Sequence, residues 1–144
     1  MIRKPKVFID SNIPMYAIGK NHIHKNESIR ILKDIESEKI FAVSSCEVFQ
    51  EILHRYTQIG EIATGLKLFD IFYELIDEIL PVNFEIIKSA RLILEKHHKA
   101  GISSRDCIHA ATMMYYDISH IASFDLHFKE FKEITFYNPL MQDF

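Results

Sequence analysis

The sequence predicts an α/β fold in which helices cover both faces of a parallel sheet. Short apolar runs rich in β-branched and aromatic residues alternate with longer amphipathic segments, a pattern typical of strands joined by crossover helices. The 144 residues are 48% hydrophobic and 26% charged, as in ordinary globular domains. Since no repeat, low-complexity segment or linker divides the chain, we expect one domain over residues 1–144.

The first half of the chain contains two predicted strands. The run KVFID at 6–10 is compact and apolar, as expected for a buried strand, and Pro14 suits the first turn of a short helix after it. Apolar residues at helical spacing predict a helix over 24–37. The run IFAVS at 40–44 is the second strand, and a helix from 45 to about 56 follows directly.

The second half continues the alternation. Apolar residues at helical spacing predict a long amphipathic helix over 61–78. The remaining elements are a short strand at 80–82 interrupted by Pro81, a helix over 84–99 ending near Gly101, a helix from Ser103 or Ser104 to about 116, and strands at 120–124 and 134–137.

Composition excludes several classes of protein. The net charge of −3 excludes binding of nucleic acid through a strongly basic surface, and none of the 4 glycines falls in a P-loop or Rossmann motif. Cys46 and Cys107 form no CxxC pair, which excludes a disulfide framework or a Cys-rich zinc site. We expect both as buried thiols in a cytoplasmic protein. No run approaches the roughly 20 apolar residues of a membrane span.

Two aspartates follow predicted strands directly. Asp10 ends the first strand, after VFI, and Asp125 ends the fourth, after IASF. Either one alone is explained by a turn carboxylate that caps the next helix. In a parallel sheet, however, the carboxyl ends of the strands meet at one edge, which is where ligands bind.

Further acids precede or lie within helices at the same edge. Asp106 forms a possible capping pair with Ser103, yet its helix is apolar almost all round, and a carboxylate on a buried helix needs a partner. Glu47 is explained by a capping box with Ser44. Glu51 has no such explanation except pairing with Arg55 on a solvated face.

Together these acids predict a metal site. Four carboxylates near one edge would repel one another and raise their pKa values. Carboxylate oxygens without clustered His or Cys favour Mg²⁺ or Mn²⁺, which bind phosphate oxygens and lower the pKa of a coordinated water. This chemistry allows an acidic protein to cleave a polyanion.

At these residues the sequence resembles the PIN domain, the metal-dependent ribonuclease fold of VapC-type toxins. Four segments carry the resemblance, in order and over nearly the whole chain: FIDSNIPMYA, SSCEVFQEIL, SSRDCIHAA and IASFDLHF. In the second segment Glu51 matches the family's acidic motif better than Glu47 does. The resemblance implies about five parallel strands in the order 3-2-1-4-5.

The resemblance also implies an endoribonuclease that uses Mg²⁺ or Mn²⁺. The residues that match its acidic quartet are Asp10, Glu51, Asp106 and Asp125. Asp10 and Asp106 would hold the metal directly, while the other two would hold it or its waters. Ser11 and Asn12 would support the site, with Ser11 orienting Asp10 or phosphate. Some members place a basic residue near the site, and Arg105 is the candidate here.

The family further implies an RNA substrate, frequent dimerisation and, often, a cognate antitoxin. We expect a homodimer because the segment 61–78 has more apolar residues than one helical stripe requires. A non-catalytic interaction module and a housekeeping RNA-processing nuclease remain alternatives. A receiver-like phosphoacceptor domain is disfavoured, since the first strand ends in DSN rather than an acidic pair.

The histidines do not predict a separate metal site, since none falls in an HExxH motif. His22, His24, His97 and His98 are expected as solvated residues at helix ends. His109 lies one turn after Asp106 and could reach the site, although a packed, hydrogen-bonded ring is the simpler expectation.

Overall fold

The computed structural model describes residues 4–137, over which five strands form one sheet. The strands are β1 (Lys6–Ile9), β2 (Phe41–Ser45), β3 (Glu78–Leu80), β4 (His120–Ala122) and β5 (Thr135–Tyr137). All neighbours pair in parallel, in the order β3-β2-β1-β4-β5. The predicted class and strand order are therefore confirmed.

Six helices connect these strands within the described residues. They are α1 (Asn12–Ile18), α2 (Lys25–Glu36), α3 (Cys46–Gln58), α4 (Ile62–Leu75), α5 (Phe84–His97) and α6 (Ser104–Tyr115), with single 3₁₀ turns at His98–Ala100 and Leu126–Glu130. Successive helices pack in pairs, α1 on α2, α3 on α4 and α5 on α6. Between residues 4 and 137 none of the helices has both the length and the apolarity needed to cross a membrane.

The strand order reverses beside β1. The chain runs outward from β1 to β2 and β3, and then returns to β4 on the other side of β1. Because crossovers are right-handed, this reversal places the earlier and later helices on opposite faces of the sheet. It also opens a crevice at the carboxyl ends of β1 and β4, the position where open α/β sheets bind ligands.

The core is centred on β1. Val7, Phe8 and Ile9 are fully buried, as expected for a central strand covered on both faces. On α4, Leu68 and Phe72 are also fully buried, so part of the apolar excess predicted as an interface is core.

Element boundaries differ from the prediction around Pro81. The third strand lies just before this proline, at Glu78–Leu80, because proline has no N–H to donate to the sheet. Helix α4 accordingly ends at Leu75, earlier than predicted. Ala42 exchanges two bonds with Asp77: its carbonyl accepts from the Asp77 backbone N–H at 3.0 Å, and its own N–H donates to the Asp77 carboxylate at 2.8 Å.

The start of α3 also differs from the prediction. Strand β2 continues through Ser45, whose hydroxyl accepts from the Val48 N–H at 3.4 Å and caps the helix. Ser44 instead donates its hydroxyl to the Ile9 carbonyl at 3.1 Å within the sheet. The predicted Ser44–Glu47 capping box is therefore wrong. Cys46, expected as buried, is exposed at the helix start, whereas Cys107 is buried as predicted.

Candidate active site

The four predicted carboxylates meet at the carboxyl edge of the sheet. They line a cavity of about 180 Å³ that is almost entirely polar, together with the supporting groups of the same edge. The full lining is Asp10, Ser11, Asn12, Glu51, Ser103, Arg105, Asp106, His109 and Asp125. The structure thus brings together every residue that the sequence selected for the site, from the segment that joins β1 to α1, from α3 and α6, and from the turn after β4.

Asp10 is held by three donors. It is 5% exposed and accepts from the Ser11 N–H at 2.8 Å, the Ser123 hydroxyl at 2.6 Å and the Asn12 amide at 3.3 Å. Burial raises the pKa of Asp10, while the nearby His109 and the Ser123 hydrogen bond oppose that rise. The side chain is therefore oriented before any ligand arrives, although its charge is costly to bury.

Ser123 is a supporting residue that the sequence analysis missed. Its hydroxyl donates to Asp10 and accepts from the Asn12 amide at 3.2 Å and from the Asp125 N–H at 3.0 Å. One buried serine after β4 therefore connects two of the four acids. A lone serine before an aspartate is too common in turns to have signalled this role.

Glu51 is buried, contrary to a solvated pairing with Arg55. Its carboxylate accepts from the Ser11 hydroxyl at 2.8 Å and contacts Nε2 of His109 at 2.5 Å. Burial by itself would raise the pKa of Glu51, but the His109 and Ser11 hydrogen bonds hold it below its ordinary value. Ser11 thus orients Glu51 through its hydroxyl and Asp10 through its backbone N–H.

Asp106 and Asp125 form the other side of the cavity. Asp106 makes the predicted capping box with Ser103, each accepting from the other's backbone N–H at 3.2 and 3.1 Å. Burial raises the pKa of Asp106, and the neighbouring Asp125 raises it further. Since the capping box engages only part of the carboxylate, the predicted structural role and a role in the site coexist.

Two imidazoles accompany these carboxylates. Ligand atoms of Asp10, Glu51 and His109 lie within 4.8 Å of one another, as do those of Asp106, Asp125 and His127. His109 is buried against the Phe8 ring, so it is packed and hydrogen-bonded as expected and also belongs to the site.

His127 is a second residue that the sequence analysis missed. Its Nδ1 lies 3.1 Å from Asp125 and 3.7 Å from Asp106. In the sequence, His127 is marked only by its position two residues after Asp125, and that spacing alone does not indicate a functional residue.

The donor set suits a divalent cation. Four carboxylates converge, two of them with pKa values raised by burial, and a bound cation would relieve the repulsion. Oxygen donors favour Mg²⁺ or Mn²⁺, and the two imidazoles widen the choice toward softer ions. Arg105, whose direction the sequence left open, is exposed and lines the cavity at its rim.

Two of the four histidines that were predicted to be solvated are half-buried in the structure. His24 is half-buried and stacks on Phe124, with ring centroids 3.9 Å apart. His97 is half-buried with its ring against Phe131, and the His98 ring contacts the carbonyls of the last turn of α5. Of this group, only His22 and His98 are exposed.

Comparison with known sequences and structures identifies the family. The sequence model of the PIN domain matches residues 7–134. Ribonuclease VapC13 of Mycobacterium tuberculosis is 36% identical over 128 residues, which is 89% of this chain and 96% of that protein. Ribonuclease VapC2 of Methanocaldococcus jannaschii is 32% identical over an alignment of 145 positions, covering 90% of this chain and 92% of that protein.

Solved structures share the fold. VapC20 of Mycobacterium tuberculosis, described as a sarcin-ricin loop cleaving toxin, superposes with a TM-score of 0.73 at 17% identity, over 89% of this chain and 98% of its own. A toxin–antitoxin complex from Klebsiella pneumoniae gives 0.63 at 12% identity, over 92% and 97%. Since the family pattern spans most of the residues and four acids meet where the motifs predicted, the chain belongs to the PIN domain family.

Proposed function

We propose that this chain is a metal-dependent endoribonuclease that hydrolyses RNA phosphodiester bonds and acts as the toxin of a toxin–antitoxin pair. The observation that carries the proposal is the convergence of Asp10, Glu51, Asp106 and Asp125 on one polar cavity at the switch point of the sheet. The names of the related ribonucleases support RNA as the substrate.

In this proposal the metal is held by carboxylates from both sides of the cavity. Asp10 and Asp106 are the direct ligands, and Glu51 and Asp125 hold the ion or its waters. When bound, Mg²⁺ or Mn²⁺ supplies Lewis acidity toward a phosphate oxygen and lowers the pKa of a coordinated water.

The remaining residues position these acids. Ser123 and Asn12 hold Asp10, while Ser11 holds Glu51, each through a hydrogen bond of 3.3 Å or less. Arg105, exposed at the rim, is placed to bind a phosphate of the entering RNA and to offset the negative charge of the cavity.

Two protein partners belong to the proposal. An antitoxin is supported by the toxin–antitoxin complex that shares this fold. A homodimer is supported by an apolar groove of about 380 Å³ between α3 and α4, whose lining includes Phe49, Leu53, Phe69 and Tyr73. Tyr73 is 58% exposed, and nearby Leu66 is 53% exposed, so this face would lose apolar surface to water on pairing.

The test is RNA cleavage by the purified protein with Mg²⁺ or Mn²⁺, with and without EDTA. Cleavage should require the metal and disappear in Asp10→Asn, because the remaining acids cannot complete the site. Asp70→Asn, at an exposed position on α4, is the matched control and should cleave normally. Undiminished cleavage in EDTA would overturn the metal dependence, and metal-dependent binding without any cleavage would favour a non-catalytic module.

A further inference from the structure

Four aromatic rings pack together near the acidic cavity as two face-to-face pairs that meet edge-on. We call Tyr16, His22, His24 and Phe124 the aromatic stack. His24 lies face to face with Phe124 at 3.9 Å, His22 lies over Tyr16 at 4.6 Å, and Tyr16 meets Phe124 edge-on at 5.6 Å. The stack therefore joins the end of α1, the turn before α2 and the turn after β4.

The aromatic stack is attached to the acidic site through the backbone. The Phe124 N–H donates to the side-chain oxygen of Asn12 at 3.4 Å, and the Asn12 amide contacts Asp10. Phe124 also directly precedes Asp125 in the chain. The aromatic stack therefore begins one residue from Asp125, which lines the cavity.

The stack is open to solvent where a base could reach it. His22 is exposed, Ile23 beside it is 72% exposed, and Tyr16 and Phe124 are half-buried. Within the described residues the buried Nδ1 of His24 has no hydrogen-bond partner, so stacking, and not hydrogen bonding, accounts for the position of this ring.

The charge of the site makes such a surface useful. The acids repel phosphate, and the net charge of the chain is −3, so electrostatic attraction to RNA is weak. Stacking of bases on aromatic rings supplies affinity without depending on net charge. Lys20 is exposed on the same turn and adds one local positive charge.

We propose that the aromatic stack is a nucleobase platform, on which an unpaired base of the RNA stacks while the adjoining phosphate lies in the acidic cavity. This inference rests on the proposed function, since it assumes RNA as the ligand. Because the binding energy comes from base stacking, purines should bind more tightly than pyrimidines, whose smaller rings have less stacking area.

The experiment compares two ligands with equal backbone charge. The dissociation constants of an adenine hexaribonucleotide and of an abasic ribose–phosphate hexamer are measured by fluorescence anisotropy, with Ca²⁺ as the divalent ion and RNA integrity checked on a gel. The proteins are wild type, His22→Ala and Phe124→Leu. His54→Ala, which removes an exposed histidine of α3 outside the stack, is the matched control.

We expect the wild type to prefer the adenine ligand. His22→Ala and Phe124→Leu should each weaken its binding by about 5-fold or more, as for loss of one base–aromatic stack, and leave the abasic ligand unaffected. His54→Ala should match the wild type for both. A purely structural role of the rings would lower the melting temperature and weaken both ligands equally.

The outcomes separate this inference from the proposed function. Equal binding of the two ligands by the wild type, or an unchanged preference in both stack variants, overturns the platform whether or not RNA is cleaved. A base preference that is lost in the variants supports the platform even when no cleavage occurs with Mg²⁺ or Mn²⁺, in which case only the nuclease proposal fails. No binding of either ligand overturns the platform, while the nuclease proposal is still decided by the cleavage assay.

Discussion

Glu51→Gln and Glu47→Gln form a matched pair one turn apart on α3. Glu51 lines the cavity and accepts from Ser11 and His109, whereas Glu47 is half-buried and, among the described residues, makes no hydrogen bond or ion pair. Only the first change should therefore remove a group from the site. The pair tests the register of α3 directly, because the two substitutions are chemically identical.

The magnitude follows from the contacts of Glu51. Glutamine keeps one acceptor for His109, but a neutral hydrogen bond contributes about 1 kcal/mol where a charged one contributes about 1.5–3 kcal/mol. Glu51→Gln should thus lower the free energy of unfolding by about 0.5–2 kcal/mol in metal-free buffer. Glu47→Gln should change it by less than about 0.5 kcal/mol, since among the described residues Glu47 has no hydrogen bond or ion pair to lose. Burial and the nearby Glu51 raise the pKa of Glu47, so any change should be stabilising.

The effect on activity should be larger than the effect on stability. Changing a residue that supports a metal site typically lowers metal affinity or activity by about 10- to 100-fold, so Glu51→Gln should lower kcat by about 10- to 100-fold. Glu47→Gln should stay within about twofold of wild type, the equivalent of about 0.5 kcal/mol. The assay is cleavage of a fluorogenic RNA in Mn²⁺, with urea denaturation in EDTA for stability. A greater loss in Glu47→Gln, or full activity in both, would refute the placement of Glu51 in the site.

Three further predictions concern charge and assembly. Asp10→Asn should abolish cleavage but leave the melting temperature in EDTA unchanged or higher, because it removes a buried charge whose pKa is raised; a clear fall in melting temperature would indicate a structural Asp10. Metal-free stability should fall as pH rises above the ordinary histidine value of 6.5. His109 has a raised pKa, so its stabilising charge is complete below 6.5 and is lost as pH passes through the raised value. The pKa values of Asp10 and Asp106 are also raised, so their contributions to stability likewise fall with rising pH, beginning at lower pH than that of His109. Mn²⁺ should therefore raise the melting temperature more at pH 8 than at pH 6. An equal shift at both pH values would contradict this. Light scattering at micromolar concentration should give twice the chain mass of 16.9 kDa for the wild type and the mass of one chain for Tyr73→Lys. Lys67→Glu, which changes an exposed charge on a different face of α4, should remain dimeric. A monomeric wild type would contradict the homodimer.

Much of the architecture could be predicted because strands and helices have local patterns of apolar and polar residues. A central parallel strand is buried on both faces, so VFI appears as a continuous apolar run, and the first polar residue after it, Asp10, lies at the sheet edge. The same logic located Asp125. Helix boundaries were less predictable, since the choice between Ser44 and Ser45 as the cap depends on how far β2 continues to pair with its neighbours.

Within the site, local patterns located Asp10, Asp106 and Asp125, whereas Glu51 was selected by the family resemblance, and the surroundings of all four depend on tertiary packing. Strand ends and first helical turns are local features that a parallel sheet gathers at one edge. The contact of Glu51 with His109 joins residues 58 positions apart, and that of Ser123 with Asp10 joins residues 113 apart. These contacts depend on how each helix is rotated and where its side chains point once the elements have packed. The periodicity of a segment shows which of its faces is apolar, but it does not show which distant polar atom a given side chain will contact.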